Sequence, residues 1–339
     1  MSGAAVWLVA AALAIGFPAR TSGDELWVPP AGGAVIEEIA AEDGRVVYVA
    51  SLGPGPLRLI EGFGSEARPL PASRADASSS ISYLDLGTDR LGRPVAVYTY
   101  HRRNAPSRLY RYDFASGRLR VMLVSRGDCL LFGPHMERGV LFFAREGRRS
   151  TPDCRPGIYQ KRPGEPLRRL TTRAYEDFDV SGGVVAFIRH RVLRPGDLNE
   201  PTAWRFAFEH VYVLRVGQRR ARLVASAGYR LTPHLVELGG VVFDRVSLDE
   251  GRVYWLRFNY DTGEEDLLRA RVRGRNPGIT KLSAEGRGLP RPGAGAFPTQ
   301  AYAVDGDRIY YHTAAYDPST GSFGPRALAR VFPLPPVFE

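Results

Sequence analysis

The side chains able to do chemistry recur at matched places along the chain and form no single motif. Asp85, Asp179 and Asp305 each stand near the end of an apolar stretch, just ahead of a glycine-bearing turn. Carboxylates brought to about 5 to 10 Å of one another supply the acid and the base or nucleophile of glycoside cleavage. His101, His190 and His312 share a second place, the end of the stretch that follows the turn. Imidazoles ringing one rim would be proton carriers or ligands. These six residues are the candidate catalytic set. Both groups also have plainer readings, because Asp caps backbone N–H groups in turns and a repeat carries chance coincidences.

Other chemistry finds little support. No Gly-x-Gly-x-x-Gly leads from a strand into a helix, no Walker-type lysine occurs, and no Gly-x-Ser-x-Gly elbow is present. The run Asp261 to Asp266 lacks the ligand spacing of an EF-hand and reads as a solvated hairpin loop. Cys129 and Cys154 are the two cysteines. With only His135 nearby they do not make a tetrahedral metal set, so no metal and no cofactor are expected. A Cys129–Cys154 disulfide is expected instead, which suits an oxidising compartment.

The elements that must position these residues follow a repeat. Six times a turn runs straight into an apolar, aromatic and β-branched stretch, at Asp43–Tyr48, Leu91–Tyr98, Arg138–Phe143, Ser181–Phe187, Glu250–Trp255 and Asp305–Tyr311. The turn glycines Gly44, Gly92, Gly139, Gly182, Gly251 and Gly306 lie 48, 47, 43, 69 and 55 residues apart. Propeller blades recur at roughly 40 to 50 residues. The long interval is assigned to an insertion at Leu193–Thr202, rich in Pro and Gly, in place of a hidden blade. Units two and four each read as four-stranded meanders, and no long 3.6-residue period appears beyond the N-terminus.

The expected fold is therefore all-β, a six-bladed β-propeller of four-stranded antiparallel blades over residues 24–339. Stacked radially, such blades bury faces that a lone sheet leaves wet. The sixth unit has material for three strands before the run Pro333–Pro336. Glu25–Val28 is expected to supply the missing outer strand of that blade and close the ring.

The repeat resembles that of TolB-like six-bladed propellers. Asp43–Tyr48, Leu109–Asp113 with Ser116–Gly117, and Val180–Phe187 match best, although units two and three replace the Asp before the turn. The resemblance spans about Val35 to Phe332. It implies the fold and an extracytoplasmic binding platform. The helical domain that precedes the propeller in TolB proper is not evident.

Residues 1–23 carry the apolar run Ala4–Phe17 followed by Thr21-Ser22-Gly23 and read as a secretory signal, with an uncleaved anchor as the alternative. The net charge is +10. Only Lys161 and Lys281 are lysines, so the charge is almost all arginine. Its clusters, such as His101-Arg102-Arg103 and Arg189-His190-Arg191, sit at strand ends of different units. They read as solvated loop charge or as a rim for an anionic polymer. The expectation is a secreted or cell-envelope, monomeric, non-enzymatic platform. It would bind a protein or an anionic cell-envelope polymer, with no nucleic acid and no membrane span after signal cleavage. The alternative is a glycan-active hydrolase or lyase working at the channel.

Overall fold

The computed structural model describes residues 25–27 and 36–331, apart from 51–55, 64–65, 72–78, 103–104, 127–128, 148–153, 174, 176, 193–204, 232–236, 263, 275–276, 283–301, 307 and 318–321. The expected signal, the insertion at Leu193–Thr202 and the C-terminal proline run lie wholly or mainly outside the described residues.

The second strand of each unit explains the apolar runs. In Arg45–Ala50, Val47 and Val49 pack into one hydrophobic cluster while Tyr48 and Ala50 pack into another. Val253 and Trp255 divide from Tyr254 and Leu256 in the same way. Side chains alternate between the faces of a strand, so a run that is apolar at every position requires a sheet buried on both sides.

The strands are β1 (Glu25–Trp27); β2–β5 (Ile36–Glu42, Arg45–Ala50, Arg58–Glu61, Arg68–Pro69); β6–β9 (Ser79–Thr88, Pro94–Arg102, Arg108–Asp113, Arg118–Val124); and β10–β13 (Cys129–Glu137, Val140–Gly147, Gly157–Lys161, Arg168–Arg169). They continue with β14–β17 (Phe178–Ser181, Val184–Val192, Arg205–Arg215, Arg222–Leu231), β18–β21 (Glu237–Asp249, Arg252–Asn259, Glu264–Arg271, Thr280–Lys281) and β22–β24 (Tyr302–Asp305, Arg308–Asp317, Ser322–Val331). Consecutive strands pair antiparallel as meanders. The last sheet runs β22-β23-β24-β1, with Glu25 opposite Arg330 and Trp27 opposite Leu328. The first strands β2, β6, β10, β14, β18 and β22 contact one another in that order, and β22 also contacts β2. Ala303 and Tyr310 of the last sheet share a cluster with Ile39, Tyr48 and Ile60 of the first.

One feature departs from the expected separate four-stranded blades. β17 and β18 pair at their far ends, Tyr229 with Gly240 and Arg230 with Gly239, so units four and five form one eight-stranded sheet. The approach is close enough that a Cβ on Gly240 would meet the Gly228 carbonyl oxygen at 2.6 Å. β15 pairs directly with β16 over nine rungs, from Val184 with Arg215 to Val192 with Ala207. The 69-residue interval is thus spent partly in long strands.

The turns between first and second strands are of the two-residue type that needs positive φ at both centres. Asp43 and Gly44 have φ of 51° and 76°, and Arg138 and Gly139 have 47° and 76°. These turns clasp neighbouring units. Gly44 N–H donates to Asp305 Oδ2 at 2.7 Å, Gly306 N–H to Asp249 Oδ2 at 2.9 Å, Gly183 N–H to Glu137 Oε2 at 3.2 Å and Gly139 N–H to the Thr88 carbonyl at 2.9 Å. In each case a turn glycine donates to the last residue of the preceding unit's first strand. The acid ahead of the turn thus serves the next unit's backbone more than its own.

Cys129 and Cys154 are bonded, with Cα atoms 5.7 Å apart, and tie the β11–β12 connection to the start of β10. Chain-entropy arithmetic for a loop of 25 residues gives about 3 kcal/mol. Urea unfolding of the chain with and without reductant should differ by that order, and C129S/C154S should match the reduced protein. Replacing Asp305 by Ala should cost no more than about 1 kcal/mol in the same assay, because the Gly44 N–H is exposed and water can take the place of its charged acceptor; D305N, which keeps an oxygen, should cost less.

Candidate functional site

The first strands surround a cavity of about 230 Å³ lined by Glu38, Glu42, Asp43, Asp85, His135, Asp177, Asp179, Arg245, Asp249, Tyr302 and Asp305, among others. Eight carboxylates face two basic side chains, Arg245 and His135. This is the matched location that the sequence points to, and it brings Asp85, Asp179 and Asp305 to one cavity.

Their local roles differ. Asp305 is engaged by Gly44 N–H, so it is part of the clasp and not a free carboxylate. Asp179 Oδ1 accepts from Val180 N–H at 2.6 Å and its Oδ2 from Leu248 N–H at 2.5 Å, which links β14 to β18. His135 Nδ1 lies 3.1 Å from Asp179 Oδ1 and 3.3 Å from Asp85 Oδ2. His135 was considered in the sequence only beside the cysteines. Its place between the two aspartates corrects that reading.

Backbone irregularities aim these groups. The β6–β7 ladder shifts register between Ser82 and Asp85, with Tyr83 at φ 55°. The β10–β11 ladder shifts between Phe132 and His135, with Gly133 at φ 56°. A third bulge in β18 puts Arg245 at φ 48°. Bulges re-aim side chains that a regular pleat would turn elsewhere. Residues other than glycine in this conformation are found where the surroundings hold them against strain. Arg245 Nη1 pairs with Glu38 Oε2 at 3.0 Å, and Tyr302 Oη donates to the Arg245 carbonyl at 2.9 Å. Burial raises the Tyr302 phenol well above its usual value.

The electrostatics follow from packing acids in a small space. Burial, and then the charges of Asp85 and Asp43, raise the Glu42 carboxyl to about 8. Burial raises Asp249 to about 6, against the Gly306 N–H that lowers it. Burial also lifts Asp85, outweighing the help of His135. For Asp179 burial is overcome by the nearby His135 imidazole and by the N–H groups of Leu248 and Val180, and the carboxyl falls below its usual range. Burial opposes the His135 charge, but the two carboxylates raise its imidazole to about 10.

Glu42 is set apart by its neighbour's turn. Unit two has a longer turn in which Asp89 Oδ1 accepts from Leu91 N–H at 2.8 Å and Arg93 N–H at 3.0 Å. That turn closes on itself and offers Glu42 no clasp.

The histidine set does not join the carboxylates. His101 and His190 line a second cavity of about 610 Å³, together with Glu146, Arg173, Arg189 and Glu209, at the other end of the strands. Burial lowers the His101 imidazole, and His190 Nδ1 lies 2.8 Å from Tyr229 Oη. His312 falls in β23, with its side chain outside the described residues.

No family model matches the sequence, and no curated protein matches it. Among solved structures, the β-propeller domain of the Trilobed protease from Pyrococcus furiosus aligns with 88% of this chain and 93% of its own, at 11% identity and a TM-score of 0.50. The fold is that of a β-propeller. TolB from Acinetobacter baumannii is 14% identical over 78% of this chain and 67% of its own, with a TM-score of 0.40. A prolyl endopeptidase is 14% identical over 84% of this chain and 40% of its own, with a TM-score of 0.41. The chain thus spans well under half of that enzyme. At 11% identity the likeness to the Trilobed protease domain is one of fold alone.

Glu42 and Asp249 bind their protons more tightly folded than unfolded. The stability they contribute is full below about pH 4 and is lost as pH rises through 6 and then 8. Thermal melts across pH 4 to 9 should show E42Q melting above the unmodified chain at pH 9 and level with it at pH 4. An unchanged gap at both ends of the range would remove Glu42 from the account.

Proposed function

We propose that the chain is an exported binding platform, a ring of six four-stranded blades closed by β1. It takes up a positively charged segment of a protein partner at the acidic mouth of its channel. The observation that carries this reading is the division of labour among the ring acids. Asp249 and Asp305 are committed to clasps, Asp179 is held by two backbone donors, and Glu42 stands outside the clasp at the same end of its strand. A cationic group entering there meets the exposed Glu42 and Asp43 in a cavity that also holds Asp85, Asp249 and Asp305, and hydrogen bonds to carboxylates are stronger than neutral ones. The disulfide supports an oxidising compartment, and residues 1–23 supply the expected signal. Among the described residues no helix is long and apolar enough to cross a membrane.

The anionic polymer considered from the sequence suits the opposite end, where Arg173 and Arg189 are found. There Glu146 and Glu209 are interleaved with them, which weakens a purely anionic preference.

A second reading rests on Glu42 itself. Glu42, Asp85 and Asp179 line one cavity, and burial lifts the Glu42 carboxyl while Asp179 is held below its usual range; carboxyls set apart in this way are the pattern of glycan-cleaving enzymes.

The test presents immobilised chain with a lysine- and arginine-rich peptide and with an anionic polysaccharide. The peptide should bind, more tightly between pH 7 and 9 as Glu42 ionises, and should be released by salt. E42Q/D43N should lose that pH dependence. Binding that ignores charge would overturn the platform reading. Turnover of a glycan panel that falls by roughly 100-fold in E42Q would favour the enzyme.

A further inference from the structure

The cluster at the centre of the first strands goes beyond a mouth that attracts cations. We propose that Asp85, His135 and Asp179 bind a single divalent transition-metal ion of the zinc or manganese type.

The geometry points to it in three ways. First, the three side chains come from consecutive units and are gathered by construction. His135 and Asp179 sit on the same rung of their ladders, third from the end of the first strand, opposite Phe142 and Ala186. The bulges at Tyr83 and Gly133 deliver Asp85 and His135. One ligand atom from each residue lies within 4.8 Å of the others.

Second, the imidazole is aimed into the cluster without a hydrogen bond. His135 is 9% exposed, and its Nδ1 is buried with no hydrogen-bond partner in acceptable geometry, although two carboxylate oxygens lie 3.1 and 3.3 Å away. A protonated Nδ1 has one N–H and would choose one oxygen, in line and at about 2.7 to 2.9 Å. Two near-equal, off-line oxygens are what a metal imposes. With bonds of 2.0 to 2.1 Å, the edge between neighbouring donors of a tetrahedron is about 3.3 Å.

Third, the donors are supported from outside and the site is open on one side. The N–H groups of Val180 and Leu248 fix the Asp179 carboxylate, as outer partners do at metal sites. The Phe178 ring packs edge-on to the imidazole at 4.7 Å between centroids. The Asp85 side chain is 25% exposed towards the cavity. One nitrogen and two carboxylates favour a borderline divalent ion over calcium or copper(I). Three protein ligands leave room for a fourth from solvent or a partner. On binding, the imidazole proton and any carboxyl proton leave to solvent, so uptake releases acid.

The experiment uses full-length chain without a polyhistidine tag, stripped with chelator and titrated with Zn²⁺ and with Mn²⁺ by calorimetry. In parallel, Co²⁺ is added and its visible absorption recorded. One saturable site is expected, with proton release and a Co²⁺ band characteristic of low coordination. D85N and H135Q should each weaken binding by at least about 100-fold, the upper end of the loss from an outer partner alone. E42Q should bind the metal as the unmodified chain does while losing the pH dependence of peptide binding, which separates this site from the mouth ligand. Folded unmodified chain with no saturable uptake would overturn the proposal, leaving an imidazolium between two carboxylates as the account of the cluster. Unchanged affinity in both D85N and H135Q would overturn it as well. If H135Q does not fold, D85N and the cobalt spectrum of the unmodified chain decide.

Discussion

The interaction on which this architecture turns is one bond repeated between units: a turn glycine N–H donating to the oxygen that ends the preceding first strand. Hydrophobic clusters between sheets supply most of the stabilisation, but they are non-directional. Sheets packed on apolar faces alone could slide. Where they occur, between units two and three, three and four, five and six, and six and one, the clasps fix the height of one sheet against the next, and so help decide which side chains share a level in the channel. Where the acceptor is a carboxylate the bond is charge-assisted. It links residues as far apart as Gly44 and Asp305. The same requirement brings acids to the channel mouth, so the negative potential there begins as a by-product of assembly.

That origin accounts for what was legible beforehand. Runs such as Val46–Ala50 announce a strand buried on both faces, and Asp43-Gly44 announces a two-residue turn; both are local properties. β1 was legible by subtraction, since the sixth unit lacked a strand and Glu25–Trp27 had no other home. That Asp85 and Asp179 would line one cavity was legible because they hold matched places in the repeat. Asp305 lines the same cavity, but its bond to Gly44 N–H, 261 residues away in sequence, was not legible. His135 was missed. Its direction depends on a register shift against β11, and the local hint was Gly133-Pro134 inside a strand. Glu42 was missed because what frees it is the longer turn of a different unit. The joining of β17 to β18 rests on close backbone approach at Gly228 and Gly240, which no pattern of side chains records.

The bulged first strands carry the structure's local strain. Tyr83 and Arg245 hold positive φ in the middle of a ladder, at a cost of order 1 to 3 kcal/mol each. Both lie beside the polar groups of the channel. The regular second strands, buried on both sides, hold the framework against which this strain is kept. Tyr83 and Asp177 also line both cavities, so the acidic mouth and the arginine-bearing end meet at these two residues.

The short first strand sets how such a ring comes apart. β1 and β24 share three paired positions, Glu25 to Trp27, whereas β23 and β24 are paired from Ile309 to Asp317. Units four and five are joined by a ladder as short, from Tyr229 to Leu231 of β17. The β1–β24 edge is therefore the part of the last sheet that yields first. A pulling force on the N-terminus would peel β1 from β24 first and leave β24 as a bare edge, while the longer β23–β24 ladder keeps its pairing.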